Sequence, residues 1–380
     1  MGPLRSICIG LSLWFVLSAC DQEPDPCDAE LPCLAELESD KWNELNPGGD
    51  TICSRGTEFG FFVSPGTVDK VIIDFRGGGA CWNELTCSTA GSIFADSIDS
   101  ARKHANMTPE EAEKRELYQG IYDRNNVENP FNDWHHVHIP YCTGDAHWGN
   151  NYVEYSEYVK IQHKGAVNTR AVLDWIKLNF KNPEKIFVTG CSAGAYGAIM
   201  WAPHVMNDYP DVPVYHFSDS GAGVITNDFF ENSFPMWKAE GALPSFIDTL
   251  DPTKVDIMST DMPYLYTSIA NHFPERTFSQ YTTILDDNQI FYFSAMGGGT
   301  SEAWSDTMQS YSEEIIANTD NFYAYIAPGC RHCILHMNKI YETESDGTNL
   351  MDWLKDMLDE QPLEQVTCED CAMECLPDDP

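Results

Sequence analysis

The sequence predicts an α/β fold with a mostly parallel central sheet covered by helices on both faces. Short apolar runs of strand length alternate with longer stretches whose apolar residues recur at helical spacing. Strands of that kind, separated by helices, belong to a sheet buried on both sides. No linker, charge run or internal repeat divides the 380 residues, and 43% are apolar, enough for one large core.

Each element follows in order. Residues 71–75 read as a strand running almost directly into Gly77-Gly78-Gly79. Residues 137–140 form a second short strand, leading into Tyr141-Cys142-Thr143-Gly144-Asp145. Val167, Ala171, Val172, Trp175 and Ile176 mark a helix, followed by a strand over 186–189. Beyond Gly190 the pattern returns to helix over 196–205. Residues 214–217, 289–293 and 322–326 are further strands, and Leu350, Leu354, Met357 and Leu358 mark a final amphipathic helix.

The ends carry different signals. Residues 1–20 read as a lipoprotein-type signal peptide. Arg5 supplies the positive start, and the apolar run over 7–17 is too short to span a bilayer. Leu17-Ser18-Ala19-Cys20 resembles a bacterial lipobox, which makes Cys20 the expected lipidation site and the membrane anchor. The expected location is outside the cytoplasm: lipid-anchored on the periplasmic or surface side of a bacterial membrane, or secreted. Residues 21–48 are expected as a Pro- and acid-rich tether, 49–360 as the main domain, and 361–380 as a Cys-rich acidic tail.

Setting aside Cys8 and Cys20, twelve of the fourteen cysteines remain, an even number suited to disulfides in an oxidising compartment. The tail cysteines Cys368, Cys371 and Cys375 have no histidine near them in sequence, so disulfides, some reaching the N-terminal region, are expected rather than a metal. A net charge of −37 disfavours nucleic acid and anionic lipid as partners. Membrane association is expected through the anchor alone, and the chain as a monomer.

Chemistry concentrates at Gly190-Cys191-Ser192-Ala193-Gly194, a G-x-S-x-G sequence between a strand and a helix. That setting is the nucleophile elbow of the α/β-hydrolase architecture, where a sharp turn lifts Ser192 above the sheet. The elbow needs a base and then an acid, both later in the chain. Of the five histidines beyond Ser192, His204 falls in a helix, His216 in a strand, and His272 in a loop with no strand before it. His332 follows the 322–326 strand and Pro328-Gly329, where a base belongs, with His336 as its neighbour and rival. Asp286, Asp287 and Asp219 all compete for the acid. Two backbone N–H groups are required for an oxyanion, from Ala193 and from the glycine loop at Gly78 or Gly79.

These motifs together resemble the pectin acetylesterase/Notum family of carboxylic ester hydrolases. The resemblance rests on Phe75-Arg76-Gly77-Gly78-Gly79-Ala80-Cys81 with Cys87, and on Ile139-Pro140-Tyr141-Cys142-Thr143-Gly144-Asp145. It continues through the elbow, Asp286-Asp287-Asn288-Gln289, and His332-Cys333-Ile334-Leu335 with Tyr341, Asp346-Gly347, Leu350 and Trp353. It implies a Ser192–Asp286–His332 triad and an oxyanion hole of Gly78 or Gly79 with Ala193; acyl transfer by these groups needs no metal or organic cofactor. Family members often carry an acidic residue where Arg76 stands, and an aromatic residue where this chain has Gly79-Ala80.

The expected reaction is two-step acyl transfer from an O-acyl ester, acetyl first, on a polysaccharide. Pectin is a polyanion that this acidic chain repels at low salt, which favours a neutral glycan or another acyl ester. Three competing readings are a deacylase for longer chains, a silent glycan-binding lipoprotein, and a thiol–disulfide oxidoreductase built on Cys330-Arg331-His332-Cys333.

Overall fold

The computed structural model describes residues 27, 30–39, 41–107, 119–256, 261–368, 371, 374–376 and 379. The signal peptide, Cys20 and the first part of the tether lie outside the described residues. The strands are β1 Asn43–Leu45, β2 Phe61–Ser64, β3 Lys70–Phe75, β4 His135–Ile139, β5 Asn151–Glu154 and β6 Lys160–His163. They continue with β7 Lys185–Cys191, β8 Val214–Asp219, β9 Thr277–Thr283 and β10 Phe322–Ala327. Eight of them form one sheet in the order β1-β2-β4-β3-β7-β8-β9-β10, while β5 and β6 pair separately. All neighbours from β4 through β10 are parallel, and β1 and β2 join antiparallel at one edge.

Side chains alternate between two cores. On β3, Val71, Ile73 and Phe75 face one core and Ile72 the other. On β7, Ile186 and Val188 oppose Phe187 in the same way. Each such buried Val, Ile or Phe contributes about 1.5–3 kcal/mol over an exposed one. The first core is closed by α1 Gly165–Asn179 and α2 Ala193–Asp208, joined later in the chain by another helix, Met262–His272. In chain order the remaining helices used below are α3 Asn227–Trp237, α4 Met262–His272, α5 Asp287–Ala295, α6 Ser301–Asn318 and α7 Leu350–Leu358. Helix α7 closes the second core. The α/β-hydrolase-like architecture is therefore present, with helices on both faces.

Several expectations change. Residues 289–293 are not a strand but the middle of α5. A short aromatic run satisfies both periods, and the cap decides: the Asp286 side chain accepts from Gln289 N at the helix start. The strand is instead β9, just before it. His272 ends α4 rather than lying in a loop. The described part of the 21–48 segment packs on the domain: Asn43–Leu45 is an edge strand, and Trp175 Nε1 donates to Pro32 O at 3.0 Å. The tail also returns to the sheet, where Val366 N donates to Ala324 O and accepts Ile326 N through its carbonyl.

All twelve cysteines considered for pairing are bonded: Cys27–Cys33, Cys53–Cys142, Cys81–Cys87, Cys191–Cys333, Cys330–Cys375 and Cys368–Cys371. The tail reaches Cys330 and not the N-terminal region. Cys330 and Cys333 have different partners, which removes the C-x-x-C dithiol on which an oxidoreductase would depend. Among the described residues no helix is long and apolar enough to cross a membrane.

Candidate active site

Ser192 stands between β7 and α2 with φ 58° and ψ −124°, a strained conformation for a residue with a side chain. Such backbone costs about 1–3 kcal/mol and persists only when its surroundings enforce it. Here they do. Ser192 N donates to Asp219 O at 2.8 Å, and a Cβ on Gly194 would come within 1.9 Å of Phe75 O. Only glycine lets α2 start this close to β3.

His332 follows β10, as its loop position predicted. Its Nδ1 lies 2.8 and 2.9 Å from the two carboxylate oxygens of Asp286, which is fully buried. Asp286 is itself fixed by Gln289, whose N and Nε2 donate to it at 2.9 and 3.0 Å. Gln289 is held in turn by Thr282 Oγ1 and Ala222 N. Burial pulls the His332 imidazolium down, but the charge and hydrogen bond of Asp286, with the charge of Asp219, outweigh it and raise its pKa above the ordinary histidine value.

The rivals take other places. Asp287 is exposed in the first turn of α5. Asp219 does not meet His332; its Oδ2 accepts from Ile334 N and Leu335 N at 2.8 and 2.9 Å. Ser220 Oγ accepts from Cys333 N at 2.8 Å, so residues 219–220 hold three consecutive amides just after His332. Burial raises the Asp219 carboxyl to about 6. His336 lines a neighbouring cavity, with its pKa lowered to about 4, chiefly by burial. His204 Nε2 donates to Ala242 O, and His216 is buried beside Ser218.

A covalent tie completes the arrangement. Cys191 precedes Ser192, Cys333 follows His332, and the two cysteines are joined across 142 residues of sequence. Ser192 and His332 line the same two cavities, together with Gly79. Gly79 has φ 73°, and a Cβ there would meet Tyr292 Oη at 2.0 Å; a Cβ on Gly77 would come within 2.8 Å of Ser192 Cβ, so the glycine loop can approach Ser192 only without side chains. Gly78 lines the second cavity, and Ala193 lines the first. Ala193 opens α2, so its N–H has no acceptor within the helix. Beneath the loop, His147 Nε2 bonds Arg76 O at 2.9 Å; burial lowers the His147 pKa to about 4, leaving a neutral donor.

The two cavities differ. The first is narrow, about 80 Å³, and walled by Trp82, Trp148, Val224, Phe229, Phe230 and other apolar groups. The second is about 400 Å³ and more polar, with Arg76, His138, Asn288 and His336 on its wall. Ser192 sits where they meet.

Sequence reasoning missed Gln289, Asp219 and Ser220 as positioning residues, and the Cys191–Cys333 tie. One signal was available: D-x-x-Q is the pattern of a helix start with its third residue reaching back, which ties Asp286 to Gln289. The others depend on contacts more than a hundred residues apart.

A pectinacetylesterase family model matches residues 46–237, half of the chain. That stretch holds the glycine loop and the elbow, and ends before Asp286 and His332. The palmitoleoyl-protein carboxylesterase NOTUM of Schmidtea mediterranea is 28% identical over 156 residues, 39% of this chain and 27% of that protein. Pectin acetylesterase 11 of Arabidopsis thaliana is 26% identical over 193 residues, 48% of this chain and 45% of that protein. The matches thus span less than half the length of these curated relatives. Among solved structures, the Wnt deacylase Notum from Drosophila superposes with a TM-score of 0.64 at 19% identity, covering 89% of this chain and all of that one. The fold agrees, the motifs lie in order along it, and the chain belongs to the pectinacetylesterase family.

Proposed function

We propose that this protein is a serine carboxylic ester hydrolase in which Ser192 is the nucleophile, His332 the base and Asp286 the acid. The observation that carries the reading is the convergence of Ser192 and His332 on one cavity, with His332 Nδ1 bonded to a buried Asp286. Ser192 attacks the ester carbonyl as His332 Nε2 takes its proton; Asp286 holds the tautomer and stabilises the imidazolium. The N–H groups of Ala193 and Gly78 or Gly79 receive the oxyanion. His332 returns the proton to the departing alcohol, then activates water to release the acyl group.

The apolar cavity takes the acyl group, and the wider polar one the alcohol. A single water-sized group needs about 10–15 Å³. The 80 Å³ available therefore exceeds what an acetyl methyl fills, which supports a short to medium chain as well as acetyl. The polar wall of the second cavity suits a hydroxyl-rich alcohol such as a polysaccharide. Export to an oxidising compartment belongs to the same reading, supported by the six disulfides. Lipid anchoring at Cys20 is its sequence-based extension.

The test is hydrolysis of p-nitrophenyl esters from acetate to palmitate by the protein starting after Cys20, beside Ser192→Ala. Turnover confined to the wild type and greatest between acetate and octanoate is expected. A folded wild type inert on every ester would overturn the reading in favour of a silent glycan binder.

A further inference from the structure

A second carboxylate–histidine group lies on strands of the sheet rather than on the loops that carry Ser192 and His332. His136 and His138 are two apart on β4, so both point to one face. Asp74 on β3 stands directly opposite His138 in the parallel register. Next to them this face carries Ile72, Phe187, Phe217, Tyr281 and Tyr325, with a few buried polar groups such as Thr189 and Ser279. Three buried titratable groups on such a face are costly unless something satisfies them.

Their arrangement is unusual for hydrogen bonding alone. His138 Nδ1 and His136 Nε2 lie 2.7 and 3.1 Å from the same oxygen, Asp74 Oδ2, and Tyr122 Oη also donates to it. Three donors converge on an oxygen that offers two lone pairs. Tyr122 Oη is 3.5 Å from His138 Nδ1, and the three Asp and His ligand atoms all lie within 4.8 Å of one another. Donors around a tetrahedral ion with bonds near 2.0–2.1 Å stand roughly 3.3 Å apart. Modest adjustment converts one spacing into the other.

We propose that Asp74, His136, His138 and Tyr122 bind one divalent transition-metal ion of the zinc class. Two imidazoles, a carboxylate and a phenol oxygen form a nitrogen–oxygen donor set suited to such an ion. The ion replaces the protons now aimed at Asp74. The Tyr122 proton leaves to solvent, so phenolate and carboxylate together balance the two positive charges, which matters beside Arg76. Each imidazole binds through the nitrogen that now faces Asp74, its proton moving to the other ring nitrogen. For His138 that is Nε2, which is buried with no hydrogen-bond partner among the described residues, so no donor opposes the tautomer. Access exists as well: Asp74, His138 and Tyr122 line the wider cavity beside Ser192. Bound there, the ion staples β3 to β4 at the root of the glycine loop and takes no part in acyl transfer. None of the twelve described cysteines offers a thiolate to compete for it, since all are in disulfides.

The test strips the protein with a chelator, titrates it with Zn²⁺ and Co²⁺, and measures bound metal after gel filtration. Wild type and Ser192→Ala should each retain about one equivalent. They should also show the intense cobalt absorption of a low-coordinate site and melt at higher temperature with zinc. The His136→Gln/His138→Gln double variant should lose all three effects. Should that variant fail to fold, Tyr122→Phe takes its place and should bind zinc at least about tenfold more weakly. A folded wild type without saturable binding, or variants that bind as well as wild type, would overturn the proposal. Because Ser192→Ala keeps the ion, this failure is separate from failure of the esterase reading.

Discussion

Two buried carboxylates each meet histidine in this molecule, and they are built in opposite ways. Asp286 and His332 sit on loops after β9 and β10, where the backbone is free to be bent and tied. The groups there are fixed one by one: Gln289 on the Asp286 carboxylate within the same helix start, Asp219 and Ser220 on the amides after His332, Cys333 on Cys191. Asp74, His136 and His138 sit within strands, positioned by the ladder with no loop at all. The first group shares its cavities with Ser192, and the second closes on itself around one oxygen. On the reading proposed above, the loop group moves a proton and the strand group holds a charge in place.

Substitution of the two carboxylates should separate them most sharply. Asp286→Asn leaves His332 without a charge partner and with the wrong tautomer, and should lower kcat by about 10⁴. On p-nitrophenyl acetate, whose alcohol makes few contacts in the wider cavity, Asp74→Asn should change kcat by less than about tenfold, since Asp74 bonds neither Ser192 nor His332, while abolishing zinc retention. Equal losses in ester turnover from the two variants would erase the distinction.

Next in size is the Cys191–Cys333 tie. Replacing both cysteines with alanine frees a loop of 142 residues in the unfolded chain and should cost about 2–5 kcal/mol in denaturant unfolding. Because His332 is adjacent, kcat should also fall, by roughly 10–100-fold. A loss of stability with kcat unchanged would show that the hydrogen bonds of Asp219 and Ser220 alone suffice to place the base.

The pH profile should be a smaller but more specific sign. His332 must be neutral to accept a proton, and its pKa is raised. Activity should therefore fall as pH drops through a value above about 6.5, the ordinary histidine pKa. In Asp286→Asn the residual activity should persist to lower pH, because the main source of the upward shift is gone. An acid limb that stays in place would assign the titration to another group.

Smallest is the acyl wall. Phe229→Ala should leave acetyl ester turnover within about threefold, yet raise kcat/KM for bulkier acyl groups relative to acetate. A uniform loss across the series would indicate damage to packing around Trp82, with which Phe229 is in edge contact, rather than a wider site.

The loop group was more legible in the sequence than the strand group, for a physical reason. An elbow imposes its own local spelling, since Gly190 and Gly194 must be glycine wherever a serine is lifted this way, so Ser192 could be read from five residues. His332 followed from strand order. From the residues alone the acid is open between Asp219, Asp286 and Asp287, because an acidic chain offers carboxylates everywhere; only the family resemblance points to Asp286. Residues 289–293 spell a strand as readily as a helix because aromatic side chains suit both, and the cap at Asp286 carries the deciding information. Asp74 and its histidines lie more than sixty residues apart, and nothing in either segment names the other. The spacing His136-x-His138 on an apolar strand was the one local hint, since it places two imidazoles on the same face.

The most direct test of the central claim is labelling with a fluorophosphonate, which reacts with a serine only when a base activates it. Peptide mapping should place the adduct on Ser192 in the wild type, and His332→Gln should slow labelling by about a thousandfold or more. An adduct on another serine, or labelling of Ser192 that is indifferent to His332, would contradict the account.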